Sequence, residues 1–309
     1  MTSAQPNPQF DLLTLSAQMA DRFEQIEPAI VAVNAGAGQR DRCAASGLIW
    51  ADNTVVTVDQ AIRREEDLTV LLADGSTVAA TVVGRDSSTD LAVLQLQSAP
   101  NLPRPQFSSL PLRLGQLVLA AGRSSQGSLN ASMGMIGRLG GSWRSWQGGQ
   151  IDQLIRPSLI SAASLTGSTL FNLQGQVIGL NTTGPRHSTL TLPFATIQRV
   201  VDQLLQTGRI ARGYLGVAMQ SVLISERLAQ TLCLSQATGV IMLSVEPDSP
   251  ADRAGILVGD ILIALEAQPV TEVGEVRLML GAERVGQTLT VQLIRGGALV
   301  ELAVTVGER

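Results

Sequence analysis

The sequence predicts a mainly β protein with two domains. The chain has 309 residues, a length typical of two or three domains. It contains 30 glycines, and its apolar runs are short and separated by turn residues, which is typical of strands joined by tight turns. Because 45% of the residues are hydrophobic and 16% are charged, a sizeable core can form.

The first predicted element is a helix near the N-terminus. From Phe10 onwards apolar residues recur at mostly helical spacing, so we expect a helix through about Gln25. Pro28 limits how far it can continue. We therefore interpret residues 1–25 as a partly helical N-terminal extension. It packs on the first domain or, as the alternative, forms an oligomer contact.

Short apolar strands alternate with turns from Ile30 to Gln206, a spacing that predicts a barrel or a sandwich. The turn Ala73–Ser76 predicts a hairpin. Helical periodicity from Thr196 to Leu205 predicts a helix that closes this domain, which we place at residues 26–209. The clearest strands are Asn53–Val58, Leu68–Leu72, Val78–Val83 and Leu91–Leu96.

The second domain is placed at residues 211–309 and mixes strands with short helices. We expect helices at Ser225–Leu232, Ser249–Ala254 and Val273–Gly281. The strands between and after them are predicted at Gly239–Val245, Ile261–Glu266, Leu289–Arg295 and Leu299–Val306.

Composition excludes several classes of function. The net charge of −4 and the pI near 5.1 argue against a general nucleic-acid binder. All 22 basic residues are arginines, which excludes lysine Schiff-base chemistry and a Ser–Lys dyad. His187 is the single histidine, which excludes a three-histidine metal site. We expect no metal and no cofactor.

Cysteine usage and the N-terminal segment bear on the compartment. Cys43 and Cys233 are far apart in the sequence, so we expect no disulfide and a reducing environment. The segment Met1–Ala20 has no basic n-region or apolar h-region, and no run is long enough to span a membrane. We therefore expect a cytoplasmic protein, with the cell envelope as the alternative if the N-terminus is incomplete.

Three segments follow one another in the first domain: GLIW with VVTVDQAI within 47–62, VGRDSSTDLAVL at 83–94, and SLTGSTLFNLQGQVIGLNT at 164–182. In this order they resemble the HtrA/Deg family of serine proteases. The resemblance implies a trypsin-like double β-barrel over most of residues 30–206. It places the positions of the family's catalytic histidine, aspartate and serine at Gln60, Asp90 and Thr166.

The residues at these positions change the expected chemistry. In a triad an imidazole takes the proton of the nucleophilic hydroxyl, and the amide of Gln60 cannot do so near pH 7. Thr166 keeps a hydroxyl, but its methyl group crowds the attack. By the same resemblance Ser164 and Leu165 lie in the oxyanion loop, where Ser164 replaces a glycine, so we expect no preorganised oxyanion hole. The sequence thus predicts a catalytically degenerate triad and a protein that is not an enzyme.

Two other features leave alternatives. His187 lies in the loop Gly184–Ser188, where it is either a solvated surface residue or a relocated base for Thr166. The Trp143–Trp146 segment interleaves tryptophan with arginine in Gly/Ser-rich surroundings, so it is a binding surface or, as we favour, a partly packed surface loop. The interpretation that we favour over catalysis is that Gln60, Asp90 and Thr166 form a hydrogen-bonded polar cluster kept for folding.

The second domain resembles a PDZ module. The resemblance lies in RGYLGV at 212–217 and in the segment Val245–Ile263. It implies a loop whose backbone N–H groups capture a C-terminal carboxylate, an edge strand at Val217–Val222 that accepts the peptide, and a helix at Val273–Leu280. The predicted groove residues are Tyr214, Leu215, Gly216, Val217, Val276 and Leu280. The alternative is a PDZ fold that packs on the first domain and binds nothing.

The sequence therefore predicts a mainly β protein with a trypsin-like double β-barrel and a C-terminal PDZ domain. The predicted function is non-catalytic binding of apolar peptide or protein C-termini, as an adaptor, chaperone-like holder or regulatory subunit in protein quality control. The alternative is a weak or conditional endopeptidase that uses Thr166. The candidate assemblies are a homotrimer and a mixed oligomer with an active paralogue; no nucleic acid and no transmembrane segment are expected.

Overall fold

The computed structural model of the chain describes residues 12–35, 45–98, 102–145, 147–160, 166–184, 188–211, 213–281 and 284–308. The chain divides into two compact units. The first comprises Met1–Ser145 and Gln150–Arg209, and the second comprises Trp146–Gly149 and Ile210–Arg309. Among the described residues, no helix combines the length and the apolar character needed to cross a membrane.

The first unit begins with the predicted helix. Helix α1 spans Leu12–Ile26 and is followed by a 3₁₀ turn at Glu27–Ala29. Pro28 occupies the first turn of this 3₁₀ segment, where its missing N–H is tolerated. The prediction of a helix through about Gln25 is therefore confirmed, while Phe10, the residue from which we counted it, lies outside the described residues.

Six antiparallel strands form a closed barrel in the order β1-β2-β3-β6-β5-β4. Alternate side chains of these strands point inwards and form one apolar core, which includes Val31, Ile49, Val55 and Leu94. The predicted hairpin turn is present, because Leu72 N–H bonds to the Ser76 carbonyl between β4 and β5. The strands are β1 (Ile30–Ala35), β2 (Ala45–Ala51), β3 (Thr54–Thr57), β4 (Leu68–Leu71), β5 (Thr77–Asp86) and β6 (Leu91–Leu96).

A second closed barrel has the order β11-β14-β13-β12-β7-β8, and its core includes Val118, Ile136, Ile155 and Leu170. The two barrels confirm the predicted trypsin-like architecture. The strands are β7 (Leu117–Arg123), β8 (Leu129–Gly140), β9 (Trp143–Arg144), β10 (Gln150–Ile151), β11 (Leu154–Leu159), β12 (Thr169–Asn172), β13 (Val177–Thr183) and β14 (Thr189–Pro193).

The segment around Trp143 differs from its prediction as a loop. Trp143 and Arg144 form β9, which pairs with β10 through Ile151 opposite Trp143 and Gln150 opposite Arg144. Ile151 is buried, so the apolar partner favours a strand that the local Gly/Ser composition does not. Trp146 lies outside the described residues.

A buried arginine ties the two barrels together. The Arg123 side chain at the end of β7 donates to the Ile30 carbonyl at 2.9 Å and to the Glu27 carboxylate at 3.0 Å. Its backbone N–H donates to the Ser46 hydroxyl in β2 at 2.9 Å. Since a buried cation is stable only when its donors are satisfied, this network fixes the N-terminal turn and the first barrel against the second.

Helix α2 (Phe194–Thr207) closes the unit. Its buried residues include Ile197, Val200 and Leu204, an i, i+3, i+7 stripe that packs on β5, β6, β13 and β14. Gly208 ends the helix in the left-handed conformation with φ of 72°, where glycine is favoured.

The second unit contains a sheet in the order β16-β17-β18-β20-β21, with β19 paired to β18 and a separate pair β15–β22. Strand β16 is at an edge of this sheet. Its strands are β15 (Gly213–Tyr214), β16 (Val217–Leu223), β17 (Thr238–Val245), β18 (Ile261–Leu265), β19 (Gln268–Pro269), β20 (Thr288–Arg295), β21 (Ala298–Thr305) and β22 (Gly307–Glu308). Its helices are α3 (Glu226–Thr231), α4 (Pro250–Arg253) and α5 (Val273–Met279), close to the predicted bounds.

Candidate functional site

Gln60 is the exposed residue of the turn that follows strand β3. Strand β3 is buried along its whole length, and the chain leaves it through a 3₁₀ turn at Asp59–Ala61. Asp59 and Ala61 are buried on either side of the exposed Gln60. The Arg85 side chain from β5 donates to the Asp59 carboxylate and to the Ile62 carbonyl, which holds this turn in place.

Asp90 ends the four-residue turn between β5 and β6 and has a φ of 58°. The Ser88 and Thr89 hydroxyls donate to the Asp86 carboxylate, each at 2.6 Å, and so fix the turn. The Asp90 carboxylate accepts hydrogen bonds from Gln60 N at 2.9 Å, from Gln60 Nε2 at 2.8 Å and from the Thr182 hydroxyl. Burial raises the pKa of Asp90 above its ordinary value, and the bonds from Thr182 and Gln60 oppose this shift without cancelling it.

The Gln60 amide bridges the two barrels. Besides its bond to Asp90, Nε2 donates to the Thr182 hydroxyl at 2.9 Å, and Thr182 belongs to β13 of the second barrel. Both hydrogens of the amide are therefore used. Because an ionised carboxylate only accepts hydrogen bonds, the NH₂ end of Gln60 has to face Asp90. The structure thus brings Gln60 and Asp90 together, as predicted, and adds Thr182.

Thr166 lies in the turn before β12, at the junction of the barrels. Its carbonyl accepts from Ser46 N–H of β2 at 3.2 Å, and the next N–H, of Gly167, donates to the Asn181 carbonyl at 2.8 Å. Its side-chain Oγ1 lies 3.2 Å from Oγ1 of Thr183. Among the described residues, Thr183 is the side chain to which Thr166 hydrogen-bonds; Gln60 and Asp90 bond to each other instead.

Three predicted or alternative site residues lie outside the described part of the chain, and two residues of the site were missed by the sequence analysis. Ser164, Leu165 and His187 are outside it, so the oxyanion loop and the relocated base remain predictions. Thr182 and Thr183 were not predicted. The available signal was their place at the end of a strand that follows the Thr166 segment in the sequence.

The arrangement has defined chemical capacities. The Thr166 hydroxyl is available as a nucleophile or hydrogen-bonding group, and Asp90 can orient a donor from Gln60. The Gln60 amide cannot accept a proton at neutral pH. A base for Thr166 therefore has to come from outside the Gln60–Asp90–Thr182 cluster.

The predicted peptide groove is built from an edge strand and a helix in the second unit. Among the described residues, β16 pairs with β17 on one side and with no strand on the other, and α5 packs beside it. The core under them contains Leu215, Val276 and Leu280, with Val217 packed against it. Val276 and Leu280 are one helical turn apart and therefore share a face. Four predicted groove residues thus lie in one apolar cluster.

The loop at the end of the groove is held by its carbonyl groups. Ala251 N–H donates to the Leu215 carbonyl at 2.9 Å, and Glu246 N–H donates to the Gly216 carbonyl at 2.8 Å. Gly216 has a φ of 80°, and a Cβ there would lie 2.2 Å from the Ser249 Cβ, so the turn requires glycine. Tyr214 lies in β15, not in the loop, and its hydroxyl donates to the Glu246 carboxylate.

Comparisons with known proteins match both units. Residues 45–180 match the model of the trypsin-like peptidase domain, and residues 213–306 match that of the PDZ domain. The chain is 30% identical over 276 residues, 87% of its length, to a probable periplasmic serine endoprotease DegP-like of Rhizobium meliloti (strain 1021). It is 27% identical over 307 residues, 96% of its length, to a protein of the same name from Pseudomonas fulva (strain 12-X).

Similarity extends to solved structures. The crystal structure of a serine endoprotease from Yersinia pestis superposes with a TM-score of 0.69 at 27% identity, covering 94% of this chain and 98% of that one. The two sequence relatives are longer than this chain, which spans 54% and 63% of their lengths.

These findings correct two predictions. The relatives are named serine endoproteases, which points to a protease, so the prediction that this chain is not an enzyme is wrong. The relatives are also named periplasmic, which points to the cell envelope, so the prediction of a cytoplasmic protein is wrong. The first error arose because altered residues at two of the three triad positions, Gln60 and Thr166, do not by themselves show that activity is lost.

Proposed function

Because the chain carries an HtrA/DegP-family trypsin-like peptidase domain followed by a PDZ domain, we propose that it is an endopeptidase of weak or conditional activity. Thr166 supplies the nucleophilic hydroxyl, and the PDZ domain binds polypeptide C-termini. The observation that carries the proposal is the Thr166 hydroxyl, hydrogen-bonded at the junction of two trypsin-like barrels in which the Asp90 carboxylate is also retained.

The proposed reaction is acyl transfer to Thr166. Its Oγ1 forms a bond to the carbonyl carbon of the scissile peptide, and the hydroxyl proton passes to a base. The base returns the proton to the leaving nitrogen as the C–N bond breaks. Water then attacks the resulting ester, which releases the carboxylic acid and restores the hydroxyl.

The missing base makes this activity conditional. The Gln60 amide has no basic atom at neutral pH, and its two N–H groups are already bonded. The proton acceptor is therefore His187, which follows β13 in the sequence, or a group that a partner chain supplies. Loss of a triad histidine lowers rates by several orders of magnitude, which is why we expect weak turnover.

Turnover of unfolded casein tests the peptidase. We expect slow hydrolysis that Thr166→Ala abolishes and that Thr166→Ser retains. His187→Ala removes the activity if the base is His187 and leaves it unchanged if a partner supplies the base. No hydrolysis above the level of Thr166→Ala, after long incubation and with candidate partner chains added, contradicts the proposal.

A gain-of-function variant provides the matched control. Gln60→His places an imidazole beside Asp90, which can then orient it. We expect the double variant Gln60→His/Thr166→Ser to raise turnover at least about 100-fold, because general-base catalysis typically contributes 10²–10⁴. If this variant also stays inactive, the failure lies in the loop that contains Ser164 and Leu165.

We propose that the PDZ groove binds apolar C-termini. A peptide adds to the free edge of β16 as another strand, and its last side chain enters the apolar cluster of Leu215, Val217, Val276 and Leu280. The turn at Gly216 presents backbone N–H groups to the terminal carboxylate.

Fluorescence polarisation tests this groove. We expect a labelled decapeptide ending in an apolar residue to bind, and its C-terminally amidated form to bind at least about tenfold more weakly, because a charge-assisted hydrogen bond is lost. A peptide of the same composition that ends in aspartate serves as the side-chain control. Equal binding of the free and amidated forms contradicts carboxylate capture.

The location and the assembly are part of the same proposal. We propose a cell-envelope location on the basis of the periplasmic relatives, and either a homotrimer or a mixed oligomer with an active paralogue. Cell fractionation with a tagged chain tests the location. Light scattering with and without the paralogue tests the assembly, and a monomer under both conditions contradicts it.

A further inference from the structure

Strand β13 ends with two threonines that serve different partners. Thr182 is buried and bonds to Gln60 and Asp90, whereas Thr183 is exposed and bonds to Thr166. Successive residues of a strand point to opposite faces, so one strand end supplies two hydroxyls to two separate groups. The Thr183 hydroxyl thus has a defined contact with the proposed nucleophile.

The backbone around this contact is fixed. Thr166 is held through its carbonyl by Ser46, and Gly167 is held by Asn181, two residues before Thr183. Thr183 itself pairs with Thr189 in the ladder of β13 and β14. Because Thr166 is β-branched, its χ1 angle has few stable values. A hydrogen bond of 3.2 Å on this rigid frame therefore selects one position of the Thr166 oxygen.

We propose that Thr183 is a positioning residue for Thr166: its hydroxyl donates to Thr166 Oγ1, orients that oxygen, and stabilises the negative charge that develops there as the proton leaves. This inference rests on the proposed peptidase function. In the reaction, the Thr166 proton goes to the base, the Oγ1 electron pair attacks the carbonyl carbon, and the Thr183 proton stays on Thr183.

The other polar groups of the site are already committed. Gln60 Nε2 uses both hydrogens on Asp90 and Thr182, and the Thr182 hydroxyl donates to Asp90. Within the described part of the chain, this leaves the Thr183 hydroxyl as the side-chain group in contact with the Thr166 oxygen, in a pair where either hydroxyl can donate. Asp90 is the ionisable group of the Gln60 cluster, and Arg186 and His187 follow β13 in the sequence, outside the described residues.

A thiol at position 166 reports on this donor without any requirement for turnover. In Thr166→Cys, a hydrogen bond to the thiolate lowers the thiol pKa, and the pH profile of alkylation by iodoacetamide measures that pKa. Mass spectrometry of the peptide that contains position 166 separates its alkylation from that of Cys43 and Cys233. The comparison is made in the full chain with Thr183→Val, which keeps the shape but removes the donor, and with Thr183→Ser, which keeps the donor.

We expect Thr183→Val to raise the thiol pKa by about 0.5–1 unit and to slow alkylation at pH 7 about three- to tenfold, since one unit corresponds to a tenfold change. We expect Thr183→Ser to keep the alkylation rate within about twofold of that of Thr166→Cys alone. Thr81→Val, which removes an exposed hydroxyl from β5 in the first barrel, is the matched control and leaves the profile unchanged. If Thr183→Val does not fold, the pH profile of alkylation is measured in Thr183→Ala instead.

An unchanged pH profile in both Thr183→Val and Thr183→Ala overturns the inference. Turnover provides the second readout, in which Thr183→Val lowers kcat while KM stays constant, and a change in KM alone counts against a positioning role. A shifted thiol pKa in a chain that does not hydrolyse casein supports the effect of Thr183 on position 166 and overturns the peptidase proposal. Hydrolysis of casein together with an unchanged pH profile of alkylation supports the peptidase proposal and overturns the positioning role of Thr183.

Discussion

Two features of Asp90 cost free energy. Its backbone is in the left-handed conformation, and its burial opposes the ionised form of its carboxyl. Its φ of 58° is in the left-handed region, which costs about 1 kcal/mol for a residue other than glycine. Burial raises the pKa of its carboxyl, although Thr182 and Gln60 donate hydrogen bonds to it. A carboxylate with a pKa raised by burial and with three hydrogen-bond donors around it is characteristic of functional sites.

The pH dependence of stability tests this description of Asp90. Because the pKa in the folded state is above the unfolded value of 3.8, the stabilisation from Asp90 is fully present below pH 3.8. It is lost as the pH rises through the folded pKa. We expect the difference in unfolding free energy between wild type and Asp90→Asn to move against wild type over this window, as urea denaturation at several pH values would show. A difference in unfolding free energy between wild type and Asp90→Asn that is independent of pH contradicts the raised pKa of Asp90.

Gly167, next to Thr166, is required by its surroundings. It has a φ of 74°, and a Cβ at this position would lie 2.2 Å from the Ser46 carbonyl oxygen. An alanine therefore meets both backbone strain and a clash with main chain that cannot move cheaply.

We expect Gly167→Ala to lower the free energy of unfolding by about 2–4 kcal/mol, as the sum of left-handed strain and overpacking. Gly115→Ala is the matched control, since Gly115 has a φ of 79° but no atom within 4 Å of its would-be Cβ. It is expected to cost about 1 kcal/mol. Equal losses in the two variants, measured by thermal and urea denaturation, would show that the Ser46 contact is unimportant.

At the scale of elements, α5 forms one wall of the proposed peptide groove although it has only 7 residues. A helix this short is not stable alone, so its ends and its packing have to hold it. Glu272 and Glu275 form a reciprocal capping box at its start. The Glu275 carboxylate accepts from Thr271 N–H at 2.6 Å and from the Thr271 hydroxyl at 3.0 Å, and these bonds lower its pKa against a smaller effect of burial.

We expect Glu275→Ala to destabilise the second unit by about 1 kcal/mol, the usual effect of losing a cap, and to weaken peptide binding. Since the folded pKa is lowered, this stabilisation is present above pH 4.5 and is lost as the pH falls through the folded value. Arg277→Ala, on an exposed position of the same helix, is the control for stability. A loss of stability in Glu275→Ala that does not become smaller as the pH falls below 4.5 contradicts the cap.

Local sequence predicted most elements and missed those that depend on distant partners. Strand β6 has the predicted bounds Leu91–Leu96, because its apolar run is bounded by turn residues. Strand β9 at Trp143–Arg144 was missed, since its stability comes from Ile151 and not from its own composition. The same limit applies to Thr182 and Gln60, whose bond joins residues 122 positions apart.

At the scale of the whole molecule, each unit has its own core. The largest cluster of the second unit runs from Leu215 to Val306 and contains no residue of the barrels. The barrel cores are likewise formed from residues 31–96 and 118–178. A segment with a complete apolar core can fold independently.

We therefore expect a fragment of residues 211–309 to unfold cooperatively and to bind the apolar decapeptide within about twofold of the full chain, since its groove is complete. The fragment of residues 1–209 is the control and is expected to fold without binding the peptide. Circular dichroism and fluorescence polarisation measure both properties. A fragment 211–309 that stays unfolded contradicts the independence of its core.

Local patterns in the sequence predicted the strands, turns and helix ends, and a barrel or a sandwich for the first domain. The double-barrel and PDZ architecture came from the resemblance to the HtrA/Deg family and to PDZ modules. Resemblance added the positions Gln60, Asp90 and Thr166, but not their contacts. Folding was needed to show that Gln60 spends both amide hydrogens on Asp90 and Thr182, and that Thr183 contacts Thr166. The bond between Gln60 and Thr182 joins the two barrels, whereas Thr183 and Thr166 both lie in the part of the chain that forms the second barrel. No local pattern encodes which side chains meet when the closed sheets form and pack together.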